Sequence, residues 1–126
     1  MKYYPQKEAG KPYKSYTGYN KSYTYHSSPS GKEIINKSGE RHPKTVLRFN
    51  VEQTGLHPTQ KPVPLFEYLI KTYTNEEELV LDNCMGSFTT AVACINTKRN
   101  YIGFEMDNTY FELGQKRLDD LQSTIK

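Results

Sequence analysis

From Pro64 onward the chain alternates helical and strand patterns, and this alternation constrains its fold more than any other feature. Pro58, Pro62 and Pro64 mark an extended approach and then a helix start, since proline suits the first turn. Val63, Phe66, Leu69, Ile70 and Tyr73 recur at helical spacing and form one apolar face, which Thr74 and Asn75 end. The short apolar run Glu78–Asp82 (ELVLD) predicts a buried parallel strand. Ala91, Val92, Ala93 and Ile95 predict a second helix over 89–96, and Asn100–Glu105 (NYIGFE) a second strand. Asp107, Asn108 or Thr109 caps a last helix, on which Phe111, Gly114, Leu118, Leu121 and Ile125 share a face. Helix, strand, helix, strand, helix implies α/β architecture with a parallel sheet and right-handed crossovers. A doubly wound domain normally has about five or more strands, so the sheet is expected to be partial.

The front of the chain has another character. Residues 1–50 hold ten Lys or Arg against three Glu, while 51–126 hold seven bases against eleven acids, so a net of +7 precedes a net of −4. The expected division is therefore 1–50, basic and tyrosine-rich, and 51–126, the alternating part. Tyr3, Tyr4, Tyr13, Tyr16, Tyr19, Tyr23 and Tyr25 follow no period of two or 3.6, so an irregular segment is expected there. Only Lys44–Phe49 (KTVLRF) reads as a short strand. Tyrosines among lysines suit nucleic acid, the rings stacking on bases and the ammonium groups meeting phosphates. They equally suit packing aromatics or a solvated polar arm. No stretch approaches the ~18 apolar residues of a membrane span, and the polar start predicts no signal peptide. Cys84 and Cys94 fit a reduced cytoplasmic protein, without metal-ligand spacing.

The turn after the first strand carries the chemistry. It runs Asp82-Asn83-Cys84-Met85-Gly86-Ser87-Phe88-Thr89-Thr90-Ala91, with Gly86, Phe88 and Ala91 at the three positions of a G-x-G-x-x-G turn. In open α/β sheets ligands sit at the carboxyl ends of strands, where such a turn lets backbone approach them. Glu105 closes the second strand, where a carboxylate grips the hydroxyls of an adenosine ribose. Taken singly, Glu105 also reads as a solvated strand-end acid, Gly86 as an ordinary turn and Cys84 as a packed thiol. No base is placed beside Cys84 to make it a nucleophile.

His57-Pro58-Thr59-Gln60-Lys61-Pro62 is similar to the signature that precedes the cofactor strand in DNA N6-adenine and N4-cytosine methyltransferases. Asp82–Thr90 (DNCMGSFTT) resembles their cofactor turn, usually Asp-x-(Phe or Cys)-x-Gly-Ser-Gly-Thr-Thr, and Ile102–Asp107 (IGFEMD) their ribose-binding strand. The resemblance covers about residues 55–118. Gly10–Lys14 (GKPYK) is weakly similar to the DNA-target region of the class that places its catalytic motif first. The resemblance implies a partial Rossmann-like methyltransferase sheet, S-adenosylmethionine as cofactor, DNA as partner and a setting in restriction-modification. It places Thr59, Gln60 and Lys61 at the methionine end, where backbone amides and the Thr59 hydroxyl suit a carboxylate. Asp82 would organise the turn near the cofactor's ammonium group, Cys84, Gly86, Ser87 and Thr89 would line the bed, and Glu105 would hold the ribose. His57 is expected to be a structural lead-in.

Two departures from the family pattern stand out. Phe88 occupies the second glycine position, where positive φ costs a non-glycine residue roughly 1–2 kcal/mol. A several-fold weaker cofactor site is expected, unless the ring turns away into the helix. The (Asp, Asn or Ser)-Pro-Pro-(Tyr or Phe) strip, which holds the flipped base and its amine, is absent, since no two prolines are adjacent. No catalytic residue is therefore assigned, and in this motif order the strip is expected before residue 1. Three alternatives follow: a separate polypeptide completes the enzyme, the chain is a non-catalytic remnant binding DNA or cofactor, or it is a generic nucleotide- or nucleic-acid-binding module. The HPTQKP lead-in argues against the last. The unfinished sheet also suits a homodimer.

Overall fold

The computed structural model describes residues 2–16, 32–51 and 56–125. Its elements are β1 (Tyr13–Tyr16), β2 (Glu33–Asn36), α1 (Val63–Tyr73), β3 (Leu79–Asp82), α2 (Thr89–Asn96), β4 (Asn100–Gly103) and α3 (Asn108–Ile125). They form two compact units, Lys7–Thr45 on one hand and Met1–Gln6 with Val46–Lys126 on the other. The first six residues thus join the second unit rather than the basic segment: Tyr4 N–H donates to Thr72 O at 2.7 Å, and its hydroxyl accepts from Asn75.

In the larger unit, β3 and β4 pair in parallel, Leu79 opposite Asn100 and Asp82 opposite Gly103, with α2 as the connection between them. The predicted alternation is present throughout. Prolines start α1 without a side-chain cap, and Thr74 ends it by returning its N–H to Ile70 O. Arg99 bonds the Thr74 and Thr97 carbonyls, satisfying acceptors at the ends of α1 and α2 together. The core lies where the helices meet one face of the sheet, in two clusters against which Val63 and Tyr101 both pack: Ile70, Ala93 and Cys94 in one, Met85, Phe88, Ala91, Val92 and Leu118 of α3 in the other.

The structure differs from expectation in three elements. Lys44–Phe49 is not a strand; Val46 is 70% exposed and the segment finds no ladder partner among the described residues. β propensity without a partner does not hold backbone extended. Within Lys7–Thr45, β1 pairs antiparallel with β2, and Glu8 bridges Arg41. The front is thus less irregular than its aperiodic sequence suggested, although Tyr19, Tyr23 and Tyr25 lie outside the described residues. Finally, β3 is buried on one face only. Val80 and Tyr101 pack inward, while Leu79, Leu81, Ile102 and Phe104 remain exposed, because the helices cover a single side.

Candidate cofactor site

The parallel strands end at Asp82 and Gly103, and the chain must turn there to enter α2 and α3. Asp82 shapes the first turn with both oxygens: Oδ1 accepts the Cys84 N–H at 3.0 Å, and Oδ2 accepts the Thr90 hydroxyl. Gly86 (φ 52°) and Phe88 (φ 61°, ψ 30°) are both left-handed, so the turn needs two residues in a conformation that suits glycine. Met85 closes it, its N–H on Phe104 O and its O accepting the Phe88 N–H.

Glu105 holds the turn from the neighbouring strand. Its Oε1 accepts the Asp107 N–H at 2.9 Å and its Oε2 the Gly86 N–H at 2.7 Å. These backbone donors, Asp107 first, hold its carboxyl below the usual carboxylate range. The lead-in folds around His57, whose Nδ1 accepts from the Thr59 N–H at 3.1 Å and whose O accepts from Gln60 N–H. The Thr89 hydroxyl donates to Lys61 O at 3.3 Å and so ties lead-in to turn.

The result is a cavity of about 710 Å³. Thr59, Gln60, Lys61, Asp82, Cys84, Gly86, Ser87, Thr89 and Glu105, drawn from three separate sequence motifs, all line it. Reading the motifs missed its other wall. Leu69 and Tyr73 of α1 line the cavity, as do Phe66 and Ile70, which also pack in the core, and helical periodicity cannot tell these fates apart. It also missed Thr90, the partner of Asp82. Cys84 is exposed, not packed; the buried thiol is Cys94, which burial pushes up to about 11. Among the described residues no group of His, Cys, Asp and Glu could hold a metal.

The departure at Phe88 has a definite outcome. Its φ is positive, as expected for that position, yet the ring is absent from the cavity wall. It is 5% exposed and meets Phe111 edge-on, centroids 5.4 Å apart. Burying such a ring contributes about 1.5–3 kcal/mol, which offsets backbone strain of roughly 1–2 kcal/mol.

The Lys7–Thr45 unit carries its own polar cavity of about 460 Å³, lined by Lys7, Tyr13, Asn36, Ser38, Glu40, Arg41 and His42. Arg41 lies over the Tyr13 ring, 5.0 Å from its centroid. Exposed pairs Lys7–Glu40 and Lys14–Glu33 occupy two of its lysines.

The DNA methylase family model matches residues 2–116. The type II methyltransferase M2.MboI of Moraxella bovis is 35% identical over 94 residues, which are 71% of this chain and 34% of that protein. The DNA adenine methyltransferase YhdJ of Escherichia coli (strain K12) is 38% identical over 73 residues, 58% of this chain and 25% of that protein. Among solved structures, the crystal structure of an M1.HpyAVI–SAM complex aligns with a TM-score of 0.51 at 37% identity, covering 68% of this chain and 46% of that one. The chain thus spans 34% and 25% of the length of these two curated relatives. No described helix is long and apolar enough to cross a membrane.

Proposed function

The chain belongs to the DNA methylase family of the N6/N4 type, and from that premise we propose that its larger unit binds S-adenosylmethionine in the cavity at the carboxyl ends of β3 and β4. The observation that carries this reading is the convergence of nine residues from three motifs on that one cavity. The donor set suits the ligand. A carboxylate has roughly four lone-pair positions, and Glu105 commits one on each oxygen to backbone, leaving one on each for neighbouring ribose hydroxyls. Asp82, fixed by two hydrogen bonds, offers negative charge to an ammonium group. The Thr59 hydroxyl and Lys61 suit the methionine carboxylate. Bound, the cofactor supplies an activated methyl group on a sulfonium; the residues here bind it, orient it and limit water around it.

The acceptor is the exocyclic amine of adenine or cytosine in DNA, and the Lys7–Thr45 unit, with Arg41, Tyr13 and unpaired basic side chains such as Lys44, contributes to DNA contact. Groups that hold the flipped base are not in this sequence, where no two prolines are adjacent. A second polypeptide segment bearing further strands supplies them. The exposed apolar side of the sheet, Leu79, Ile102 and Phe104, supports that assignment of partner.

Calorimetric titration of S-adenosylmethionine into the folded chain tests the reading. Binding by the parent, weakened about tenfold or more by Glu105→Gln, is the expected result. A folded parent that binds no cofactor, or binds NAD or ATP equally well, would sink it and leave a non-catalytic remnant or a generic nucleotide module.

A further inference from the structure

A glycine at position 88 would hold the left-handed conformation by itself; a phenylalanine there resists it, and the turn keeps its shape only while something holds the ring. That holder is α3. A methyl group added at Gly114 would fall within 2.9 Å of Phe88 Cδ2 and nearer still to Cγ and Cδ1, so the ring rests directly on the backbone of α3. Phe111, three residues earlier, meets the ring edge-on. Arg117, three residues later, donates from its guanidinium to Ser87 O at 3.0 Å and Thr89 Oγ1 at 3.2 Å. Tyr110 packs against His57 of the lead-in, centroids 4.1 Å apart and planes tilted by 53°. Residues 110, 111, 114 and 117 share one helical face, and that face grips both segments lining the cavity. Phe88 itself is not among the residues lining it.

We propose that Phe88 is a positioning residue for the cofactor site: seated on Gly114, it makes the docking of α3 set the shape of the Met85–Thr90 turn. In this chain a contact between elements performs what glycine's backbone freedom performs at that position in the family pattern. The proposal rests on reading the cavity as the S-adenosylmethionine site. Linkage is reciprocal: cofactor bound at the turn must tighten α3, although α3 contributes no residue to the cavity lining.

The test compares parent, Gly114→Ala, Phe88→Gly and the double variant. Amide hydrogen exchange at 86–90 is measured without ligand, and S-adenosylmethionine affinity by calorimetry. Gly114→Ala alters no atom of the cavity lining, yet it is expected to unseat the ring, speed exchange at 86–90 and weaken binding about tenfold, within the usual span of coupling between sites. In the Phe88→Gly background the same methyl enters vacated space and changes neither quantity. In the parent, cofactor is expected to slow exchange at 110–117. Unchanged exchange and affinity in Gly114→Ala, or equal effects with and without Phe88, would overturn the proposal. If Gly114→Ala does not fold, Phe88→Leu replaces it; leucine retains an apolar seat without the edge contact, and exchange at 86–90 as slow as in the parent would overturn the proposal equally. If the folded parent binds no cofactor, the reading of the cavity fails, and exchange alone decides whether Phe88 holds the turn.

Discussion

Glu105 shows how much a single side chain is asked to do at the end of a strand. It receives the Gly86 and Asp107 amides, and those bonds are strongest to the ionised carboxylate. Its pKa is therefore depressed in the folded state, with the Asp107 amide as the largest cause. The stability it contributes is present above its unfolded pKa and is lost as pH falls through the lower folded value. Amide exchange at Gly86 is accordingly expected to stay slow at neutral pH and to accelerate only below the usual carboxylate range. Glu105→Gln should exchange faster at neutral pH and lose that dependence, a comparison nuclear magnetic resonance makes directly. A Gly86 amide equally protected in both proteins would mean that the hydrogen bond is incidental to the turn.

At the scale of elements, helix ends decide where the site sits. α3 begins because Asp107 Oδ1 accepts the Thr109 and Tyr110 amides at 2.8 and 3.1 Å. Losing such a cap costs about 1 kcal/mol, and in a unit of this size that corresponds to roughly 4–8 °C in Tm. Asp107→Ala is expected to lower the thermal midpoint by that amount, read by circular dichroism, whereas Asp107→Asn or Ser should recover most of it. Because the same helix seats Phe88, the alanine variant should also raise exchange in the Met85–Thr90 turn. α2 starts differently, with a left-handed Phe88 and no side-chain cap.

For the molecule as a whole, the outstanding feature is a parallel pair with helices on one side. Leu79 at 60%, Ile102 at 47% and Phe104 at 60% exposure leave an apolar surface that parallel sheets ordinarily cover. The Leu79→Lys/Ile102→Lys variant is expected to keep the parent's thermal midpoint, since exposed substitutions shift stability by about 0.5 kcal/mol or less. It should lose binding to a complementing methyltransferase segment, and any self-association, in analytical ultracentrifugation. Association undiminished by the two lysines would place the covering surface elsewhere.

The sequence by itself determined the order and type of every element from Val63 onward, and nine of the residues that the cavity gathers. Those properties are local: apolar periodicity sets helix or strand, proline and Asp107 set the starts, and the motifs fall where strands must turn. Only the tertiary structure decided the rest. The Phe88 ring could face cofactor or helix until Gly114 offered it a bare stretch of backbone. Tyr13–Tyr16 became a strand, and Lys44–Phe49 did not, because a ladder needs a partner, and β2 supplied one only to the first. Leu69 and Tyr73 share a periodicity and a cavity wall with Ile70, yet only the arrangement of neighbouring elements buries Ile70 and leaves the other two exposed.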